Sequence, residues 1–298
     1  MVTGDPSAAG PQLDVLDTDQ VVELLLRAEE RVVPAVRASA RAIAGAAVLL
    51  GDRLRAGGRV VLVGAGTSGR LAVSEAAELP GTFGLAPDRC IGILAGGGHS
   101  LAGTDRDEDD AAAGAADLAA VRPTAGDVVV AVAASGRTPY TVAAAETARA
   151  AGAGVIAVVT AGSSPLAALA TVAIEVAPGA EVLRGSTRLS AGTAQKVALN
   201  ALTTSALARA GRVHGDLMVD VVAANEKLRR RSAAIVAEIA GCDDEAAHRA
   251  LAACGWQARA AVLQLAAGLA PDAARATAGA HRSLREALGS LGRGDPRC

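Results

Sequence analysis

Five short apolar runs, Val60–Val63, Ile91–Leu94, Val128–Val132, Val155–Val159 and Val172–Val176, recur along the middle of this chain. Each is followed by a turn, and stretches with helical spacing run over 70–79, 108–120, 141–151 and 165–170. Continuous apolar runs of this length suit strands buried on both faces of a parallel sheet. The alternation predicts an α/β fold, a doubly wound and mostly parallel sheet flanked by helices. Folds of this class hold ligands beyond the carboxyl ends of their strands.

The flanks read differently. Residues 1–17, with Gly, Pro, Ser and Asp and no periodicity, are expected to be a flexible leader. Helical spacing runs from Thr18 to Val33, is interrupted at Pro34, and resumes over 35–54. After residue 185 the strand pattern stops. Long helices are expected over 189–210 and 217–240, then short Ala/Leu helices over 243–290, broken at Gly255, Gly268–Pro271 and Gly279. The expected organisation is the leader 1–17, an α/β ligand-binding domain over 18–240 and a small all-helical bundle over 241–298.

Composition narrows the partners. The 298 residues carry 29 basic and 31 acidic side chains, a net charge of −2, which leaves no broad basic surface for nucleic acid. One Trp, one Tyr and one Phe are too few for a base-stacking platform. No uninterrupted apolar run approaches the ~18–20 residues of a membrane-spanning helix. The N-terminal residues lack the charged and apolar regions of a signal peptide, so the expected location is the cytoplasm. Cys90, Cys242, Cys254 and Cys298 show no C-x-x-C spacing, and with four scattered His they make neither a disulfide framework nor a zinc site.

Two loops carry the candidate chemistry. Gly64-Ala65-Gly66-Thr67-Ser68-Gly69-Arg70 follows the first strand and opens a helix. It contains G-x-G-x-x-G, but the next strand ends in Leu94-Ala95-Gly96-Gly97 without the carboxylate a dinucleotide ribose requires. The better reading is a phosphate monoester site, in which Gly66, Thr67 and Ser68 offer backbone N–H groups and hydroxyls at a helix N-terminus; the alternative is a tight turn and nothing more. After the third strand, Ser135, Gly136, Arg137 and Thr138 repeat the arrangement, with Pro139 suited to the first helical position. Arg137 reads equally as a structural ion-pair residue. A third segment, Gly185-Ser186-Thr187-Arg188, precedes the helix bearing Gln195, Lys196 and Asn200; Ser186 there reads also as that helix's cap.

These loops and their order resemble the sugar isomerase (SIS) superfamily, and more narrowly the N-acetylmuramic acid 6-phosphate etherases. The matching stretches are GAGTSGRL at 64–71, ELPGTFG at 78–84, AASGRTPY at 133–140, GSTRLSAGTAQK at 185–196 and GDLMVDVVAANEKLR at 215–229. The resemblance implies a SIS fold and a carbon–oxygen lyase that splits the lactyl ether of a sugar phosphate without metal or nicotinamide. It implies Glu78 as proton donor, with Glu75 one turn earlier supporting the site. Gly66, Thr67, Ser68, Ser135, Gly136, Arg137, Thr138, Ser186, Thr187 and Lys196 are then expected to bind substrate.

The resemblance also implies a second catalytic carboxylate, a Glu that the family carries in a segment reading roughly E-G-A-E-D ahead of G-x-x-D-L. Matching that segment back from Gly114 places Asp105 there, whereas counting forward from Gly96-Gly97 places Arg106, and Asp105 is preferred. Asp there would hold its carboxylate roughly 1.5 Å short of a Glu. The same run reads alternatively as a solvated helix N-terminus. The resemblance also implies a homodimer, with Asn225, Glu226 and Lys227 near the neighbouring subunit's pocket. A non-catalytic sugar-phosphate sensor, as in the related glucokinase regulatory protein, is the alternative. Tyr140 and Phe83 lie in matched motifs and are expected to wall the pocket. With so few rings, the sugar is expected to be gripped mainly by its phosphate.

Overall fold

The computed structural model describes residues 11–97 and 105–294. Its first compact unit comprises residues 1–77 and 88–206, and its second comprises 78–87 and 207–298. In the first unit, helices α1 (Thr18–Glu29), α2 (Val32–Ala38) and α3 (Ala40–Arg55) precede the sheet. Pro34 does not end a helix. It lies in the first turn of α2, where its missing N–H has no partner to lose.

Five parallel strands follow: β1 (Val60–Gly64), β2 (Cys90–Leu94), β3 (Val128–Val132), β4 (Gly154–Val159) and β5 (Val172–Glu175). Their order is β2-β1-β3-β4-β5. The chain leaves β1 for one edge, returns to β3 and continues to the other, so the topological switch falls between β1 and β3. Strands β1, β3 and β4 are buried along their whole length, as uninterrupted apolar runs require, while the edge strands β2 and β5 are partly exposed. Helices α5 (Ala111–Ala120), α6 (Pro139–Ala150) and α7 (Pro165–Leu169) share a core with Val61, Val63, Val129, Ala131, Val155 and Ala157.

Helix α4 (Gly66–Phe83) is longer at both ends than its apolar spacing indicated. It starts four residues early, because what reads as a loop is the helix's first turn, and it continues through Pro80. A proline inside a helix strands the carbonyl four residues before it. Here that carbonyl, of Ala76, accepts from the Cys90 thiol at 3.3 Å. Burial first, and the Glu75 carboxylate second, push the Cys90 thiol up to about 12, so it stays a protonated donor. Two residues along β2, Gly92 lets the helix approach closely: a Cβ there would lie 2.9 Å from Val73 Cα.

The last long helix of the sheet region is α8 (Ser190–Arg209). In the second unit, α9 (Glu226–Ala240), α10 (Asp244–Ala253), α11 (Ala258–Ala267), α12 (Pro271–Ala280) and α13 (Leu284–Ser290) bury a separate core around Val236, Ile239, Leu251, Val262 and Leu288. The compact units thus differ from the partition at residue 240, because α9 packs against α10 and α11. Trp256 belongs to this unit, with Arg229 4.9 Å above its ring, and lines a cleft of about 460 Å³ with Asp220 and Arg259. No single helix among the described residues is long and apolar enough to cross a membrane.

One buried ion pair ties the entry of β1 to that of β3. Asp127 is 2% exposed and accepts from the backbone N–H and guanidinium of Arg59 and from the N–H and hydroxyl of Thr124. Burial opposes its charge, but these donors outweigh burial and hold the carboxyl well below its usual range. A depressed pKa contributes stability above the ordinary carboxylate pKa of ~3.9, and that stability is lost as pH falls through the folded value. Asp127→Asn should therefore cost about 3 kcal/mol at pH 7. The gap to wild type should narrow below about pH 4 in denaturant titrations; a gap independent of pH would contradict this account.

Candidate functional site

Gly64 at the end of β1 lies opposite Val132 at the end of β3, so the segments leaving these strands start side by side. After β1 the chain turns at once. Gly66 has φ 54°, and the first intrahelical bond of α4 runs from Gly69 N to Ala65 O at 2.9 Å. The N–H groups of Thr67 and Ser68 precede that bond and point out of the helix end, where the macrodipole favours an anion. Gly64 and Gly69 permit the turn: a Cβ on Gly69 would lie 2.5 Å from the Gly64 carbonyl oxygen and equally close to Leu94 Cδ1. Thr67 is half-buried and Ser68 is 8% exposed.

The segment after β3 repeats the pattern. Gly136 has φ 61°, and a Cβ there would lie 2.2 Å from Ser164 Oγ. The Ser135 hydroxyl oxygen accepts from Arg137 N at 3.2 Å. Thr138 is the N-cap residue of α6 but makes no capping bond through its side chain, and Pro139 takes the first helical position. Arg137 is exposed, and its guanidinium reaches the Ser163 carbonyl at 3.5 Å.

Helix α8 closes a third side. A Cβ on Gly192 would lie 3.5 Å from Thr67 Cγ2 and 3.6 Å from the Thr187 carbonyl oxygen, so the 185–188 segment is carried up to the first loop. Ser186 is half-buried and Thr187 exposed. Ser186 does not cap α8. The Glu181 carboxylate does, accepting from Ser190 N and Ala191 N at 3.0 and 2.9 Å. Lys196 donates to Glu75 at 2.7 Å, and Thr203 donates to the same carboxylate at 2.6 Å. Glu75 is 3% exposed, so this pair also neutralises a charge buried beside the site. Gln195 meets Ser68, with Oε1 accepting from the serine hydroxyl at 2.9 Å.

The acidic run forms a 3-10 turn over Asp105–Asp109. Two of its carboxylates lie over the strand ends. A Cβ on Gly96 would be 2.0 Å from Asp107 Oδ2, and a Cβ on Gly66 would be 2.2 Å from Glu108 Oε1. Glu108 is therefore seated over the turn that follows β1. The side chain of Asp105 lies outside the described residues. Counting from flanking glycines selected Asp105 and did not single out Glu108, the one Glu between 104 and 110. Glu78 stands exposed on α4, one turn beyond Glu75.

The aromatic expectation fails. Tyr140 is fully buried and donates to the Asp117 carboxylate, and Phe83 is 7% exposed, so neither ring is free to wall a pocket. Gly114 allows the close packing of α5 on α6 that encloses Tyr140: a Cβ there would lie 2.1 Å from its carbonyl oxygen.

The sheet order, with a glycine-bearing, helix-initiating turn after each of β1 and β3 at its switch point, is that of a SIS-domain protein. Residues 42–149 match the glucokinase regulatory protein N-terminal SIS domain, and residues 111–205 match the SIS domain. A protein of Symbiobacterium thermophilum named N-acetylmuramic acid 6-phosphate etherase is 48% identical over 87% of this chain and 86% of its own length. One of the same name from Rubrobacter xylanophilus is 43% identical over 97% of this chain and 96% of its own. The solved structure of the Vibrio vulnificus NanR protein complexed with ManNAc-6P aligns with TM-score 0.45 at 18% identity, over 64% of this chain and 65% of that one. The chain belongs to the N-acetylmuramic acid 6-phosphate etherase family.

Because a Cβ on Gly69 would meet the Gly64 backbone as well as the tip of Leu94, and the backbone cannot swing aside, Gly69→Ala should destabilise the protein by about 1–3 kcal/mol. Thermal unfolding reads this directly; a variant as stable as wild type would show that α4 is not seated this tightly on β1.

Proposed function

We propose that this protein is a carbon–oxygen lyase that cleaves the lactyl ether of N-acetylmuramic acid 6-phosphate, yielding N-acetylglucosamine 6-phosphate and D-lactate. The family supplies the substrate class. The observation that carries the reading is the pairing of two anion loops with a glutamate, Glu108, seated on the first of them. Phosphate bound between Thr67, Ser68, Ser135 and Thr138 fixes one end of an open-chain sugar and converts remote binding into orientation at the reacting end. Gly66 and Gly136 let the backbone approach, while Ser186, Thr187, Lys196 and Arg137 complete the rim.

The chemistry follows from the aldehyde at C1, which acidifies the proton on C2. A carboxylate takes that proton, the electron pair forms the C2–C3 double bond, and the C3–O bond breaks. The departing lactate oxygen receives a proton from an acid. Water then adds, its hydroxyl to C3 and its proton to C2. Glu78 is proposed as the acid. Exposed in the free chain, it gains the burial an acid needs when substrate covers it. For the second carboxylate we propose Glu108 in preference to Asp105, because its Oε1 lies at Gly66 and it has the full reach of a glutamate. No redox step or metal is called for in this sequence of events.

A cytoplasmic homodimer is part of the same proposal. Val22 and Leu26 on one face of α1, with Val33 on α2, are 48%, 59% and 54% exposed, an apolar face of the kind a second copy covers. Asn225, Glu226 and Lys227, at the start of α9, are the residues assigned to the neighbouring subunit's site.

D-lactate release from N-acetylmuramic acid 6-phosphate tests the reading. Glu78→Gln and Glu108→Gln should each lower kcat by about a hundredfold or more, whereas Asp105→Asn should stay within about threefold of wild type. An inactive Asp105→Asn beside an active Glu108→Gln would return the second role to Asp105. No lactate from a wild type that still binds the sugar phosphate would favour the sensor and defeat the enzyme.

A further inference from the structure

Gln195 is 1% exposed, and only one end of its amide is used. Oε1 accepts from Ser68 Oγ at 2.9 Å, while Nε2 is buried without a hydrogen-bond acceptor among the described residues. Buried N–H groups without partners are rarer in folded proteins than under-used carbonyl oxygens. The free chain therefore leaves the less tolerable end of this amide unpaired.

The neighbouring group gives the arrangement a purpose. Ser68 has one hydroxyl proton. It is directed at Gln195, away from any anion at the α4 N-terminus. When an anion arrives it competes for that proton, as a charged acceptor outbids a neutral amide. Ser68 Oγ then needs a donor, and the idle Nε2 of Gln195 is positioned to become one.

We propose that Gln195 is a positioning residue for the phosphate of the bound sugar. Its side-chain amide turns over on binding, so that Nε2 donates to Ser68 Oγ and the Ser68 hydroxyl donates to a phosphate oxygen. No covalent step is involved; two hydrogen bonds exchange direction. This inference rests on the proposed seating of phosphate at the first loop. Specificity for a phosphorylated ligand follows, because a neutral hydroxyl in the same place does not draw the proton away from the amide.

Calorimetric titration of the full chain with N-acetylglucosamine 6-phosphate tests it, using Ser68→Ala, Gln195→Met, the double variant and Gln195→Glu. Ser68→Ala and Gln195→Met should each raise Kd about tenfold, and the double variant should bind no more than about twofold worse than Ser68→Ala. Gln195→Glu keeps the size but can only accept, and places a negative charge beside the phosphate; it should bind at least tenfold worse than Gln195→Met. It also keeps the test decisive if the Met variant fails to fold, since Gln195→Glu binding like wild type overturns the proposal. In turnover, Gln195→Met should raise KM by the same factor as Kd, with kcat within about threefold.

Losses that multiply to about a hundredfold in the double variant would overturn the proposal, because Gln195 would then act independently of Ser68. So would a Gln195→Met variant that binds as wild type. If wild type does not bind, or Ser68→Ala binds as tightly as wild type, the phosphate seat itself fails and this inference with it. Normal behaviour of those two proteins with a silent Gln195→Met defeats the inference alone.

Discussion

The pairing of β1 with β3 is the contact on which the larger unit depends. Both strands are buried on both faces, so their register is held by apolar packing as well as by the ladder between them. That register sets Gly64 against Val132 and aligns the exits of two strands whose chains then leave for different edges of the sheet. Neighbouring strands lie about 4.8 Å apart, so two helix-initiating turns are brought within the span of one phosphate group. Asp127 and Arg59 clamp the opposite ends of the same two strands.

Behind the first turn, polar groups are buried in pairs. Glu75 is matched by Lys196 and Thr203, and Ser68 by Gln195, so that α8 is joined to α4 by charge-assisted and neutral hydrogen bonds. The neutral pair is incomplete and the charged one is fully engaged. Under the proposed function, one adjustable hydrogen bond beside the turn after β1 would suit a ligand recognised chiefly through its phosphate. The burial of Tyr140 fits the same proposal, since among the described residues of the sheet unit it is the one aromatic ring and it is not left to stack on a sugar.

Local pattern made the sheet legible: each of the five apolar runs is a strand, within a residue or two at the ends. What escaped were features decided at long range. Pro80 interrupts the helical pattern, and only the thiol of Cys90, bonded to the Ala76 carbonyl fourteen residues before it, explains why α4 tolerates it. Glu75 and Lys196 are 121 residues apart, and Ser68 and Gln195 are 127 apart, separations at which spacing carries no information. The glycine-rich loops were readable because their φ values and close approaches demand glycine. Glu108 was not, because its value lies in reaching over Gly66 from a 3-10 turn that begins at Asp105.

Under the proposed function, one phosphate is held jointly by the exits of β1 and β3. A crystal structure of the protein with N-acetylglucosamine 6-phosphate tests it most directly. Phosphate oxygens should lie within about 2.7–3.2 Å of the Thr67 and Ser68 N–H groups and of the Ser135 and Thr138 hydroxyls. A phosphate seated elsewhere, for example in the cleft beside Trp256 and Arg259, would contradict it.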